Sequence, residues 1–109
     1  IDSETLCYSS IKEFKEIENK IYNKLINGGV FWSRIFSNKT TGYNSGKKIS
    51  QNFNIPSFGP LKGYGPTRIL KLKDVKKIYS KNWKSIEVAE LIRKNSKYTV
   101  HELIIEAKK

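Results

Sequence analysis

The sequence contains no methionine, one cysteine (Cys7) and one histidine (His101) among 109 residues. A single cysteine excludes an intramolecular disulfide and fits a reducing compartment. One Cys and one His cannot make a Cys/His zinc site, and the carboxylates are scattered, so neither a metal nor a cofactor is expected. No apolar run approaches the length of a membrane span, and no signal-peptide pattern is present. The chain begins at Ile1 and lacks methionine, which leads to the expectation that it is a fragment of a longer polypeptide. Acidic residues are also scarce, with 10 Asp and Glu against 21 Lys and Arg.

That imbalance gives a net charge of +11, and it is concentrated. Residues 1–27 hold four basic and five acidic side chains, and residues 85–109 hold five and four. Residues 34–84 hold twelve basic residues against Asp74 alone. A dense positive field repels itself and suits a polyanionic partner. Nucleic acid is the expected partner; an acidic protein is the second.

The length suits one domain spanning 1–109, with a helical N-terminal part at about 3–27 and a basic, loop-rich and sheet part at about 30–109. SSIKEFKEIENKIYNKLINGG reads as an amphipathic helix. Ser10 and Glu13 have capping-box spacing; Ile11, Phe14, Ile17, Ile21 and Leu25 form the stripe, and Asn27-Gly28-Gly29 gives the stop. VFWSRIF at 30–36 reads as a strand, with Trp32 expected in the core. Residues 37–67, rich in glycine and proline, read as a long functional loop pinned by Ile49, Phe53, Ile55, Phe58 and Leu61. Ile69–Leu72 reads as a short strand and 74–80 as a helical turn capped by Asp74. SIEVAELIRKN at 85–95 reads as a helix. Residues 97–108 fit either a strand, with Thr99, His101, Leu103 and Ile105 on one face, or a helix capped by Thr99 and Glu102; the strand is preferred.

The chemistry centres on GPLKGYGPTRILKLK at 59–73. Glycine lets backbone N–H groups approach a phosphate, and proline stiffens the loop. The segment matches neither a Walker A motif nor a dinucleotide fingerprint. Metal-free RNA cleavage needs a group to deprotonate the 2′-hydroxyl, cations to neutralise the phosphorane and a proton donor for the leaving oxygen. His101 is the candidate general acid or base because histidine titrates near neutral pH. Arg68 with Lys47 or Lys48 are candidate phosphate stabilisers, and Tyr64, Thr67 and Thr99 candidate positioning hydroxyls. Lys62, Lys71, Lys73, Lys76 and Lys77 are candidate backbone contacts. If the last strand paired with Ile69–Leu72, His101 would lie at the mouth of this loop.

Two other readings use the same residues. Helices at 85–95 and 99–108 would form a helix-turn-helix, a non-enzymatic nucleic-acid-binding module, although Glu102 and Glu106 would then face phosphates. Cys7 and His101 in that order would suit a cysteine protease.

The helical start, the Gly/Pro-rich cationic centre and the near-terminal His101 together resemble the C-terminal toxin domains of bacterial contact-dependent growth-inhibition systems. The transfer-RNA-cleaving members are the most similar; their folds are compared with the barnase, colicin and EndoU group of ribonucleases. The resemblance implies an α+β fold, with N-terminal helices packed on a small twisted antiparallel sheet, and metal-independent ribonuclease activity. It also implies an acidic immunity protein as partner, and a translation elongation factor as a further one. Delivery from a larger secreted protein into the cytoplasm of a target bacterium is implied as well. Of the site residues, only His101 carries over from the resemblance.

Overall fold

In the computed structural model, residues 10–79 and 81–109 are described together with the backbone of Asp2 and Ser3. The elements run β1 (Asp2–Ser3), α1 (Ile11–Lys24), β2 (Val30–Phe36), β3 (Lys47–Ser50), β4 (Phe53–Ile55), β5 (Thr67–Arg68), a 3₁₀ turn (Leu72–Asp74), α2 (Val75–Ile78), β6 (Ser85–Lys94) and β7 (Thr99–Lys108).

Helix α1 forms where its sequence signals it. Ser10 Oγ accepts from the Glu13 N–H at 3.2 Å, satisfying one N-terminal backbone donor, and donates to Glu13 Oε1 at 2.8 Å. At the other end the Lys109 ammonium donates to the carbonyls of Tyr22 and Leu25, both at 2.7 Å, where a cation also suits the helix dipole. The buried line differs from the expected stripe. Phe14 is enclosed and Ile21, Tyr22 and Leu25 pack on the core, but Ile11 and Ile17 are exposed. Glu18 is buried instead, because the Trp83 indole N–H donates to its carboxylate at 2.6 Å.

The described strands form a four-stranded sheet in the order β1-β2-β7-β6 and a three-stranded sheet in the order β3-β4-β5. All pairs are antiparallel except β1 with β2. Strand β7 is central and pairs with β2 from Val30↔Lys108 to Phe36↔Glu102, and with β6 from Ser85↔Lys108 to Lys94↔Thr99. Its alternation places His101, Leu103, Ile105 and Ala107 on the face that carries the core, with Phe31, Ser33 and Ile35 of β2 beside them. Phe14, Val75, Tyr79 and Trp83 close this layer from the helical side. Phe14 and Tyr79 meet edge to face at 5.6 Å, and burying a ring such as Phe14 contributes about 1.5–3 kcal/mol. The described residues form an α+β domain of two α-helices and two small sheets.

Several expectations change. Residues 85–95 form no helix: β6 is a strand over Ser85–Lys94. Leu91, Glu90 and Arg93 are acceptable in helices, but ten-residue pairing with β7 overrides that propensity. With 99–108 also a strand, the helix-turn-helix has neither helix. Ile69–Leu72 is not a strand; the regular pairing is at Thr67–Arg68, and Leu70 makes only an isolated parallel bridge to Ser37. Strand β7 therefore pairs with β2 and β6, not with 69–72. Asp74 stands at the N-cap of α2 without a side-chain capping bond. Trp32 is half-buried on the sheet face opposite the core, because it alternates with Phe31 and Ser33.

The loop 37–67 contains β3 and β4 and is pinned by Phe53 and Leu61, while Ile49, Ile55 and Phe58 are exposed. Backbone contacts hold the rest. Gly42 and Gly46 have φ of 77° and 71°, and a Cβ there would stand 2.1 Å from the Phe58 carbonyl oxygen and 2.0 Å from that of Ile55. Only glycine lets the 41–46 and 55–59 segments approach so closely.

Candidate functional site

The end of β2 organises the site. Ser37, just past Phe36, lies between Leu70 on one flank and His101 on the other: Leu70 N–H donates to the Phe36 carbonyl at 2.9 Å and Ser37 N–H to the His101 carbonyl at 2.8 Å. Thr40 Oγ1 accepts from His101 N–H at 3.0 Å and donates to its carbonyl at 2.9 Å, fixing the backbone of β7 there.

The His101 imidazole is enclosed, at 2% exposure. Nδ1 is hydrogen-bonded to Ser37 Oγ. Ser37 Oγ also accepts from the Lys39 N–H at 3.1 Å, which fixes the hydroxyl oxygen beside the ring. Nε2 faces Glu90 Oε1 at 3.2 Å, an electrostatic approach rather than an aligned hydrogen bond. The Glu90 side chain is 41% exposed, and its Oε1 lies 3.9 Å from Lys39 Nζ. The groups of this cluster that meet solvent are thus the Glu90 carboxylate and the Lys39 ammonium, with the imidazole enclosed behind them. The register explains the contact: Glu90 and Ile92 face Leu103 and His101 across the β6–β7 ladder, so Glu90 reaches the imidazole on the diagonal.

Arg68 occupies a different place. It lines a cleft of about 410 Å³ with Ile11, Ser50, Gln51, Asn52, Asp74, Lys77 and Ile78. Its guanidinium lies 4.8 Å over the Phe53 ring, and burial lowers its pKa from the ordinary arginine value. Lys77 pairs with Asp74 at 3.6 Å at the same cleft. Asn52, at φ 58°, makes the β3–β4 turn and accepts from the Ile69 N–H at 2.8 Å, holding the strand that carries Arg68. His101 does not line this cleft.

The other expected residues divide as follows. Cross-strand pairing puts Lys47 with Ile55, and Ile55 shares the Phe53 and Arg68 face of the small sheet; Lys48 lies on the other face with Asn54 and Thr67. Both lysines are exposed. Thr67 is buried, its hydroxyl donating to the Gly65 carbonyl at 3.2 Å, which serves the turn. Thr99 shares the His101 face, and its N–H donates to Thr41 Oγ1 at 2.9 Å. Tyr64 is 67% exposed on the glycine-rich loop. Lys62, Lys73, Lys76 and Lys77 are exposed and Lys71 is half-buried. Cys7 lies outside the described residues.

Sequence reasoning missed Glu90, Ser37 and a second cluster on the opposite sheet face. There Glu102 is fully buried, its Oε2 2.7 Å from Arg34 Nε and its Oε1 bonded by Arg93 Nη2. Alternation along a strand was the available signal, since it separates His101 from Glu102. Among the described residues no group of three His, Cys, Asp or Glu gathers as metal ligands, and no helix is long and apolar enough to cross a membrane. No protein-family model matches the chain, and the search of curated proteins found no match.

Proposed function

We propose that this domain binds RNA through its cationic surface and cleaves it by side-chain acid–base chemistry, as a ribonuclease. The observation that carries this reading is the Glu90–His101 pair, a solvent-facing carboxylate backed by an imidazole and flanked by Lys39.

In this mechanism Glu90 removes the 2′-hydroxyl proton and the 2′-oxygen attacks the adjacent phosphorus. The P–O2′ bond forms, the P–O5′ bond breaks, and the Glu90–His101 pair returns a proton to the departing 5′-oxygen. The products are a 2′,3′-cyclic phosphate and a 5′-hydroxyl. Lys39 offsets the charge that grows on the phosphorane. His101 is a positioning residue rather than a group that touches substrate. The Arg68 cleft takes a flanking phosphate. Transfer RNA as substrate, an acidic immunity protein and an elongation factor as partners, and delivery into a target cell form the finer part of this proposal and rest on the resemblance alone.

A non-catalytic nucleic-acid-binding domain is the second reading, favoured by the enclosure of His101 at 2% exposure. Incubating the domain with RNA in EDTA, beside Glu90→Gln, separates the two. The ribonuclease cuts RNA and the variant binds without cutting. A binding domain leaves RNA intact in both.

A further inference from the structure

At the tip of the β6–β7 hairpin, Pro60, Arg93, Lys94, Asn95, Tyr98 and Val100 line a cleft of about 290 Å³, with Arg93 and Val100 on the sheet face opposite His101. Its chemistry is uneven in an informative way. Two cations line it and no carboxylate does. The Arg93 side chain is 58% exposed, yet one Nη2–H is bonded to the fully buried Glu102, which fixes the guanidinium plane. A guanidinium has five donors in a rigid fork, so one bond inward leaves the fork able to grip an anion outward. The Asn95 carboxamide oxygen accepts from the N–H groups of Lys97 and Tyr98, both at 2.8 Å, and Asn95 lines the cleft, so its NH₂ is a further candidate donor. Tyr98 is braced edge to face by Phe58 at 5.8 Å and offers an aromatic wall.

We infer that this hairpin cleft is a nucleotide subsite, in which Arg93 and the Asn95 amide hold a phosphate and the Tyr98 ring stacks on the neighbouring base of single-stranded RNA. The inference rests on the RNA-binding reading above and deepens it. Charge that grips phosphate beside a flat aromatic surface is the combination that binds single strands with little sequence preference. The position also fits the proposed chemistry. Arg93 and Glu90 are three residues apart on the same edge strand and point to opposite faces, about 10 Å along the strand. A strand of RNA crossing that edge meets both. Glu102 thereby gains a role that its burial alone does not explain: it sets the angle of the arginine that receives the flanking phosphate.

The test is fluorescence anisotropy with a labelled single-stranded oligoribonucleotide carrying 2′-O-methyl groups, so that cleavage cannot intervene, over a series of salt concentrations. Arg93→Ala is expected to weaken binding on the order of tenfold and to reduce the slope of log affinity against log salt by about 0.7, one phosphate contact on a single strand. Tyr98→Ala is expected to weaken binding roughly tenfold with the slope unchanged, because stacking releases no counterion. Tyr98 makes no bond to Glu102, so this variant keeps the inference testable even if Arg93→Ala fails to fold. If the unaltered protein binds and both folded variants bind as it does with the same slope, the subsite is overturned and the RNA-binding reading stands. If the unaltered protein does not bind the oligonucleotide, both fall together.

Discussion

His101 Nε2 stands 3.2 Å from Glu90 Oε1, and the two groups differ in exposure: the imidazole is enclosed and the carboxylate opens to solvent. In the proposed mechanism, chemistry at this pair is therefore delivered by Glu90. Glu90→Gln should lower RNA cleavage by about 10²–10⁴-fold while changing stability by less than about 1 kcal/mol, since the side chain is partly solvated. Cleavage kinetics beside a denaturant titration read both quantities.

His101→Ala should behave differently. It frees Glu90 to move and leaves Ser37 without its ring partner inside the protein. Stability should fall by about 2–4 kcal/mol. At temperatures where the variant is folded, kcat should fall with KM little changed. A purely structural histidine would lower the melting temperature and leave kcat alone.

Glu102 is the most exposed to disruption by mutation because it has no contact with water. Glu102→Ala removes the counter-ion shared by Arg34 and Arg93 and should destabilise the domain by about 1.5–3 kcal/mol, the range for hydrogen bonds to charged groups, since both arginines keep part of their hydration. Urea unfolding followed by tryptophan fluorescence measures it.

Trp83→Phe keeps most of the aromatic volume but removes the indole N–H that donates to Glu18. The cost should be about 1.5–3 kcal/mol, the range for removing a buried hydrogen bond to a charged group. The double variant Trp83→Phe with Glu18→Leu should recover part of that loss in the same titration.

The parts of the fold that were legible in the sequence are those whose signals are local. Ser10 and Glu13 announce the start of α1, and the β-branched and aromatic run at 30–36 announces β2. The face shared by Thr99, His101, Leu103 and Ile105 was readable once a strand was assumed. Strand β6 was not, because Ile86, Val88, Ala89, Leu91 and Ile92 fit a helical stripe as well as an alternating one. Only its ladder with β7 decides between them. Glu18 was hidden for a related reason: its partner lies 65 residues away. At the candidate site, His101 and Arg68 stood out by scarcity and charge, but the register that sets Glu90 beside His101, and Ser37 between His101 and Leu70, is a property of strand pairing that no short motif encodes.

The proposed function turns on one chemical event, transesterification of RNA at the Glu90–His101 pair. Mass spectrometry of RNA incubated with the domain in excess EDTA reads it directly. Fragments ending in 2′,3′-cyclic phosphate are expected, abolished by Glu90→Gln and absent when the 2′-hydroxyls are methylated. Intact RNA at protein concentrations that saturate binding would contradict it.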